Sequence, residues 1–185
     1  MMGIPGKALG IDITADKIHM ALLKRTRHGI RLLKCGTAPL PEGAVKDGNI
    51  NNENLICKSI IKLRKKYKIG RANTYISLIS NPVLLQILEI PGGGPVNISQ
   101  FVRDEIKSYA ILPMKNIALD YCGIGPSSQS GNNRLLVVAA NNNKQLNILR
   151  RMEKERYNMC GNEPAAFAYI RACYAQKIKP KLNKN

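Results

Sequence analysis

A carboxylate lies near the end of the first apolar run of the chain, directly before a tight turn. Asp12 belongs to Gly10-Ile11-Asp12-Ile13, and Thr14-Ala15-Asp16 connects this run to the next one. A carboxylate in this position can organise a metal ion and its water while the amides of the turn face phosphate groups. The sequence therefore nominates these candidate nucleotide-binding residues: Asp12, Thr14, Ala15, Asp16 and Lys17.

A structural interpretation of the same turn stays open. Close approach of backbone amides to phosphate usually requires glycine, and Thr14 and Ala15 occupy the turn instead. An aspartate at a strand end commonly hydrogen-bonds within its own turn, and this arrangement needs no ligand.

The remaining residues with chemical potential show weaker patterns. Gly92-Gly93-Gly94-Pro95 lacks the G-x-x-x-x-G-K-[ST] pattern of a phosphate loop, so we predict a plain turn. His19 has no serine or cysteine partner at catalytic spacing, so we expect a packed or solvated strand histidine. No C-x-x-C spacing occurs, so we expect reduced thiols and nominate neither a metal ligand nor a catalytic residue. The cysteines are Cys35, Cys57, Cys122, Cys160 and Cys173.

Length and composition are those of an ordinary globular protein. The chain has 185 residues, of which 44% are apolar and 22% are charged, and this suits one domain or two small lobes. No window reaches the ~18 uninterrupted apolar residues of a membrane span, and the N-terminus lacks a signal-peptide pattern. We therefore expect a cytoplasmic protein.

The net charge of +17 is unusual and has three possible explanations. Nucleic-acid binding, attraction to an anionic membrane and a basic proteome all produce such a charge. The second of three basic stretches ends a predicted amphipathic helix, which favours a solvated helix face. With no Trp and only two Phe in the chain, nucleic-acid binding is disfavoured. The stretches are Lys24–Lys34, Lys62–Arg71 and Arg150–Lys184.

Hydrophobic periodicity and turn residues predict the order βββαββαββα followed by a final helix. This order indicates an α/β class, with an α+β mixed sheet, and excludes a helical bundle and a β-sandwich. Pro39–Asn51 is predicted as a loop because it is rich in Pro, Gly, Asp and Asn. The predicted strands are Lys7–Ile13, Lys17–Lys24, Ile30–Ala38, Ala72–Ser80, Val83–Ile90, Ile117–Ile124 and Arg134–Ala140. The predicted helices run from Asn51 or Asn52 to about Tyr67, from Asn97 to before Pro113, over Asn143–Tyr157, and from Pro164 to about Gln176.

Several segments along nearly the whole chain occur in the same order as in a known protein family. They are GIDI at 10–13, APLPEGAVKDGNI at 38–50, ISLIS and NPVLLQILEIP within 76–91, YAILP at 109–113, IALDYCGIG at 117–125, RLLVVAA at 134–140 and EPAAFA at 163–168. In this order they resemble the N-terminal half of the PilM family, the actin-like type IV pilus assembly proteins.

The resemblance implies the first lobe of an actin-like protein. That lobe is a ribonuclease-H-like sheet with an inserted small α/β subdomain. On this chain, the first subdomain would comprise residues 7–74 and 126–178. The insert would comprise residues 75–125, and residues 179–185 would form a basic tail.

The resemblance also implies a cytoplasmic adaptor at the inner face of the cytoplasmic membrane, where contact with anionic lipids is compatible with the charge. PilM-like proteins bind the short cytoplasmic N-terminal tail of the membrane protein PilN in a groove on the first lobe. They connect the inner-membrane parts of a pilus or secretion machine to its cytoplasmic motors. The sequence does not distinguish a type IV pilus from a type II secretion machine, and it nominates no partner-binding residue.

Full-length members bind ATP between two lobes, and here the chain departs from the family pattern. Thr14 occupies a glycine position and His19 the position expected for lysine, which Lys17 could replace only if the turn differs. The second lobe, with its own phosphate and adenosine loops, is not part of this sequence. We therefore expect no cofactor and no ATP hydrolysis by this chain alone, and ATP with Mg²⁺ only if a second lobe is supplied. Two alternatives stay open: half of an actin-like ATP-binding protein, and a small basic nucleic-acid-binding protein.

Overall fold

A computed structural model describes residues 6–77, 83–93, 97–109, 117–128, 131–141 and 143–177. The described residues up to Ser77 and from Lys144 onward form a first unit, and those from Val83 to Asn143 form a second. None of the helices in these ranges is long and apolar enough to span a membrane. The strands are β1 Lys7–Ile13, β2 Lys17–Thr26, β3 Gly29–Pro39, β4 Val45–Lys46, β5 Asn49–Ile50, β6 Asn73–Ser77, β7 Val83–Pro91, β8 Ile117–Pro126, β9 Asn132–Asn141 and β10 Asn158–Glu163. The helices are α1 Glu53–Lys66, α2 Ile98–Ser108, α3 Asn143–Lys154 and α4 Ala165–Lys177.

The first unit is built on a five-stranded mixed sheet in the order β10-β6-β1-β2-β3. β1, β2 and β3 are antiparallel neighbours, whereas β6 runs parallel to both β1 and β10. Parallel neighbours need a crossover connection, and α1 lies in the connection that leads to β6.

One face of this sheet carries the core of the first unit. Strict alternation along β1 and β2 buries every second side chain, and α1 and α3 cover that face. Burying such an aliphatic side chain contributes about 1.5–3 kcal/mol. The main buried residues are Leu9, Ile11, Ile13, Ile18, Met20 and Leu22 from the strands, and Ile56, Ile60, Leu63, Ile148 and Met152 from the helices.

Helix α1 has the termini that the sequence predicts. The side-chain oxygen of Asn52 accepts hydrogen bonds from the amides of Asn54 and Leu55. Glu53 lies in the first turn and basic residues fill the last one, which complements the helix dipole.

A short hairpin lies within the segment predicted as a loop. β4 and β5 pair around Asp47-Gly48, whose φ angles are 51° and 72°. Two consecutive positive φ angles define a type I′ turn, and Asp-Gly is one of its preferred sequences. The loop prediction for Pro39–Asn51 therefore overlooked a hairpin signal.

The second unit is an antiparallel sheet in the order β7-β9-β8, packed against α2. The predicted division of the chain needs correction here. Residues 126–178 were assigned to the first subdomain and residues 75–125 to the insert. The structure instead pairs β9 with β7 and β8 on its two edges, so β9 belongs to the second unit, while β6 belongs to the first sheet. Residues 179–185, the predicted basic tail, lie outside the described residues.

Strand β10 was not predicted. Its sequence, NMCGNE, is short and contains Gly and Asn, a composition that indicates a loop. It pairs parallel with β6, with a register shift between Met159 and Gly161. The preceding helix α3 correspondingly ends at Lys154, before the predicted Tyr157.

Candidate functional site

The sheet face opposite the core carries a groove of about 490 Å³. Side chains on this face alternate with the buried ones, so Gly10 and Asp12 of β1 lie beside His19 and Ala21 of β2. All strands of the first sheet contribute to the lining, and α4 contributes Ala165, Ala168 and Tyr169. The groove therefore lies wholly within the first unit.

The strand register aligns the residues of this face in two rows that cross the sheet. One row forms the floor and consists, apart from one tyrosine, of small residues: Gly161, Tyr75, Gly10, Ala21 and Cys35. The neighbouring row is polar and borders the floor: Glu163, Ser77, Asp12, His19 and Thr37. The groove thus combines an open floor with one polar border.

Asp12 lies in the polar row beside α4. The hydroxyl of Tyr169 donates a hydrogen bond to Asp12 Oδ2 at 3.3 Å. The negative charge of Asp12 raises the pKa of Tyr169 above its ordinary value. The phenol therefore keeps its proton at neutral pH and remains a donor to Asp12.

Two further polar groups flank Asp12 in the same row. Glu163, the last residue of β10, forms an ion pair with Arg171 of α4. Ser77 is 7% exposed, and its Oγ has no hydrogen-bond partner within the described part of the chain. Because a buried unpaired hydroxyl costs about 1–3 kcal/mol, this end of the groove offers an unused hydrogen-bonding group close to a carboxylate.

The other predicted nucleotide-binding residues form a turn that closes on itself. The amide of Thr14 donates to the carbonyl of Lys17 at 2.9 Å, and the amide of Lys17 donates to Thr14 Oγ1 at 3.1 Å. Thr14 Oγ1 also lies 3.1 Å from Asp16 Oδ1, and this contact, with the Lys17 ammonium, lowers the pKa of Asp16. Asp12 lines the groove, whereas Thr14, Ala15, Asp16 and Lys17 do not.

The residues present do not fit the phosphate groups of a nucleotide. The amides of Thr14 and Lys17 are already used, and the Lys17 ammonium pairs with Asp16. The border of the groove carries the carboxylates of Asp12 and Glu163, which repel an anion. Within the described ranges, no group of three or more His, Cys, Asp or Glu is placed to hold a metal ion. That this chain alone does not hydrolyse ATP stays a prediction.

A second depression, of about 770 Å³, lies on the same sheet face towards the start of β1. Tyr75 lines both depressions, so the two adjoin. Among the described residues, the lining of the second depression combines apolar and basic side chains and includes no acidic one: Ala8, Leu23, Ile30, Lys7, Arg25 and Arg27.

Strand β3 borders both depressions and is an edge strand of the first sheet. It is 11 residues long, and its Ile30 and Leu32 side chains are 73% and 54% exposed. Edge strands of soluble proteins are normally short, charged or covered. A long edge with exposed apolar side chains is a surface to which an extended segment can add.

His19, Cys57 and Cys35 contact residues of the first sheet or of its core. His19 Nδ1 lies 2.9 Å from Thr37 Oγ1, within the polar row. Cys57 is fully buried in the core, and burial raises the pKa of its thiol to about 11. It therefore acts as a small apolar residue at neutral pH. Cys35 lines the groove as part of its floor.

Of the predicted turn Gly92-Gly93-Gly94-Pro95, the structure describes only the first two residues. Gly92 approaches Gly131 so closely that a Cβ at Gly92 would lie 2.0 Å from the carbonyl oxygen of Gly131. The glycine therefore permits a close backbone contact within the second unit. Gly94 and Pro95 lie outside the described residues.

Part of the positive charge supports the fold. Lys34 Nζ donates to the carbonyl oxygens of Tyr67 and Lys68 at 2.9 and 2.8 Å, beyond the last turn of α1. The Arg64 guanidinium lies 4.1 Å from the centre of the Tyr157 ring. These cations have intramolecular partners, so the charge alone does not indicate a nucleic-acid interface.

Asp12 is the one groove residue that was nominated from the sequence, and the polar side chains that lie around it were not: Ser77, Glu163 and Tyr169. Glu163 was visible within the EPAAFA segment, but its alignment with Asp12 depends on β10, which was not predicted. The arrangement of the parallel strands could have indicated these residues. The carboxyl ends of parallel strands meet at one edge of a sheet, so polar residues at those ends converge.

The chain is similar to known proteins in sequence and in fold. The family model described as type IV pilus assembly protein PilM matches residues 10–157, whereas no curated protein matches the chain. A solved PilM-PilN type IV pilus biogenesis complex is 19% identical with a TM-score of 0.74, covering 91% of this chain and 50% of that one. The cytoplasmic domain of EpsL, an inner membrane component of the type II secretion system of Vibrio cholerae, is 10% identical with a TM-score of 0.51, covering 85% and 57%.

The similarities to solved structures show which fold the chain adopts. The chain spans about half the length of the solved relatives that it matches. The predicted fold class, an α/β protein with a mixed sheet and the architecture of an actin-like first lobe, is confirmed.

Proposed function

Because the chain belongs to the PilM family of type IV pilus assembly proteins, we propose that it is a cytoplasmic adaptor that binds the N-terminal cytoplasmic tail of a PilN-like inner-membrane protein. The solved PilM-PilN complex supports this choice of partner, since it joins a protein of this fold to PilN. The adaptor would work at the inner face of the cytoplasmic membrane. A net charge of +17 favours that location, because the cytoplasmic leaflet is anionic.

One observation carries the proposal, and it is the groove on the open face of the first sheet. Gly10 and Ala21 keep its floor low, while Tyr75 of the floor row and Tyr169 of α4 supply exposed aromatic surface. An extended peptide places alternate side chains on one side, so it can bury apolar groups against such a floor. The groove is therefore suited to a short peptide segment.

The two other candidate functions have less support. An ATP-binding half-site would need free amides or a cation near Asp12, but the amides of Thr14 and Lys17 and the Lys17 ammonium are engaged within the turn. Nucleic-acid binding would need a basic surface with stacking aromatics, and Lys34 and Arg64 instead serve the fold.

A peptide titration tests the proposal. The probe is a fluorescent peptide that contains the cytoplasmic N-terminal residues of the PilN-like protein from the same organism. We expect a micromolar or lower dissociation constant, which corresponds to about −8 kcal/mol or better. A scrambled peptide of equal composition is the control, and equal affinities for the two peptides contradict the proposal.

A further inference from the structure

The hairpin formed by β2 and β3 carries charge of one sign. Residues 17–41, which contain both strands, include six lysine or arginine residues and no aspartate or glutamate. Four of the six lie towards the tip of the hairpin and are exposed: Lys24, Arg25, Arg27 and Arg31. Within the described ranges, none of these four forms an ion pair with a carboxylate. Their cationic groups are therefore available to an external anionic surface.

The same end of the hairpin exposes large apolar side chains. Ile30 and Leu32 of β3 are 73% and 54% exposed, and they pair with Arg25 and Leu23 of β2. Directly paired residues of neighbouring strands lie on the same face of a sheet, so these aliphatic side chains and a guanidinium share one surface. Tyr75, which is 48% exposed, lines the second depression beside them. An exposed apolar patch with a polar rim indicates an interaction site.

The tip of the hairpin has a defined shape. Thr26 Oγ1 donates to the carbonyl of Gly29 at 2.9 Å and so closes the two-residue turn Arg27-His28. The amide of Arg25 donates to the carbonyl of Gly6 at 2.8 Å, which ties the hairpin to the start of β1. A fixed backbone thus presents the apolar and cationic groups, and binding does not require this segment to become ordered.

The mixture of charge and apolar surface favours one occupant over two others. A second copy of the chain would bring two β3 edges together, and each carries Arg31 and Lys34 without an acidic residue, so like charges would repel. A nucleic acid would bind the cations but would leave Ile30 and Leu32 in water, because aliphatic side chains offer no stacking surface to a base. An anionic membrane uses both kinds of group. Its headgroups attract cations, and the boundary between headgroups and acyl chains takes up apolar side chains.

We infer that the tip of the β2–β3 hairpin docks directly on an anionic lipid surface. Its cations contact the phosphate headgroups, while its two exposed aliphatic side chains enter the boundary with the acyl chains. We call this surface the hairpin patch, and it consists of Lys24, Arg25, Arg27, Ile30, Arg31 and Leu32. The inference rests on the proposed function only for the location at a membrane. It adds the part of the chain that contacts the lipid, and this contact needs no partner protein.

Vesicle co-sedimentation tests the lipid contact with the 185-residue chain alone. One set of vesicles contains phosphatidylcholine and phosphatidylglycerol in equal amounts, and the reference set contains phosphatidylcholine only. Each lysine or arginine near an anionic surface strengthens binding about fivefold. With four such residues in the hairpin patch, we expect at least about 100-fold tighter binding to the anionic vesicles. Added salt should weaken this binding, because it screens the charges.

The cationic part of the hairpin patch is tested by removing two charges. Arg25→Gln combined with Arg27→Gln should weaken binding to anionic vesicles about 25-fold, which is fivefold for each lost cation. The control combines Lys62→Gln with Lys65→Gln, two exposed positions of α1, the helix that covers the opposite face of the sheet. It makes the same change in net charge and should weaken binding no more than about threefold, because charges far from the lipid are screened.

The apolar part is tested with every charge retained. Ile30→Ser combined with Leu32→Ser should weaken binding to anionic vesicles at least about 10-fold, because apolar burial in the interface is lost. The control combines Leu85→Ser with Ile87→Ser, whose side chains are 50% and 49% exposed on β7. β7 is also an edge strand, but it contains no lysine or arginine. This control should change the affinity no more than about twofold.

Three results would overturn the inference. The first is equal binding of the wild-type chain to anionic and neutral vesicles, or binding to neither. The second is equal weakening by the two pairs of charge substitutions. The third is an unchanged affinity of the serine variant of Ile30 and Leu32, which would show recognition of phosphate charge alone, as in nucleic-acid binding. Because no PilN-like peptide is present, each of these results leaves the adaptor function to be decided by the peptide titration.

Discussion

Replacing Ala21 with tryptophan abolishes binding of the PilN-like tail and leaves the chain folded. Ala21 lies in the row of small residues between Gly10 and Cys35, on the face opposite the core. An indole at this position occupies the groove without entering the packed interior. Because the peptide loses its place over the floor, we expect the dissociation constant to rise at least about 100-fold, the effect of losing a central contact. Fluorescence anisotropy with the tail peptide measures this change.

A matched substitution separates the groove from general effects of an exposed indole. Ala118→Trp introduces the same side chain at an exposed position of β8, in the second unit. It should change the affinity by no more than about twofold. Thermal unfolding shows whether Ala21→Trp is folded. A folded Ala21→Trp protein that binds the tail as tightly as wild type would exclude the groove as the binding site.

Gly36→Ala destabilises the first unit. A Cβ atom at this position would lie 2.2 Å from Cε2 of Tyr67, the residue that caps the C-terminus of α1. Gly36 pairs with Met20 of the core face, so the added methyl group and the Tyr67 ring would compete for the same space. Overpacking of this kind costs about 1–3 kcal/mol, which corresponds to a fall in Tm of about 2–12 °C for a chain of this size. Calorimetry or circular dichroism measures the fall.

Gly70→Ala is the control for this effect. No atom lies within 4 Å of a Cβ at Gly70, and its backbone is not in the left-handed region. Replacing glycine at such a position leaves stability unchanged or raises it by about 0.4–1 kcal/mol, because the unfolded chain loses freedom. A Gly36→Ala protein as stable as the Gly70→Ala protein would contradict the packing of Tyr67 against β3.

Local sequence patterns predicted the elements whose own residues determine them. β1 was predicted with its observed bounds, Lys7–Ile13, because its residues form a short apolar run rich in strand-forming residues. The start of helix α1 was predicted from its capping residue Asn52, since capping depends only on a side chain and the amides next to it. The tight connection Thr14-Ala15-Asp16 was also predicted.

Pairing between distant strands was not predictable in the same way. β9 has the alternation of any half-buried strand, and nothing in its residues shows that it pairs with β7 and β8. β10 has almost no strand signal, because its place in the sheet depends on the parallel ladder to β6. Both the division into units and the polar row of the groove follow from these long-range pairings.

The candidate site shows the same division between local and long-range information. Asp12 was nominated from its own segment, and it lines the groove. Thr14, Asp16 and Lys17 were nominated with it, but their donors and charges are used within the turn. Glu163 comes from a strand that lies far away in sequence and reaches the polar row only through the fold.

Chemical-shift mapping tests the proposed binding surface most directly. The ¹⁵N-labelled chain is titrated with the PilN-like tail peptide, and the amide resonances are followed. We expect the largest shifts in the residues that line the open face of the first sheet, namely Gly10, Asp12, Ala21, Cys35 and Tyr75, while those of α1 and α3 stay nearly unchanged. Shifts concentrated in α1, in α3 or in the second unit, with the first sheet unaffected, would contradict binding in this groove.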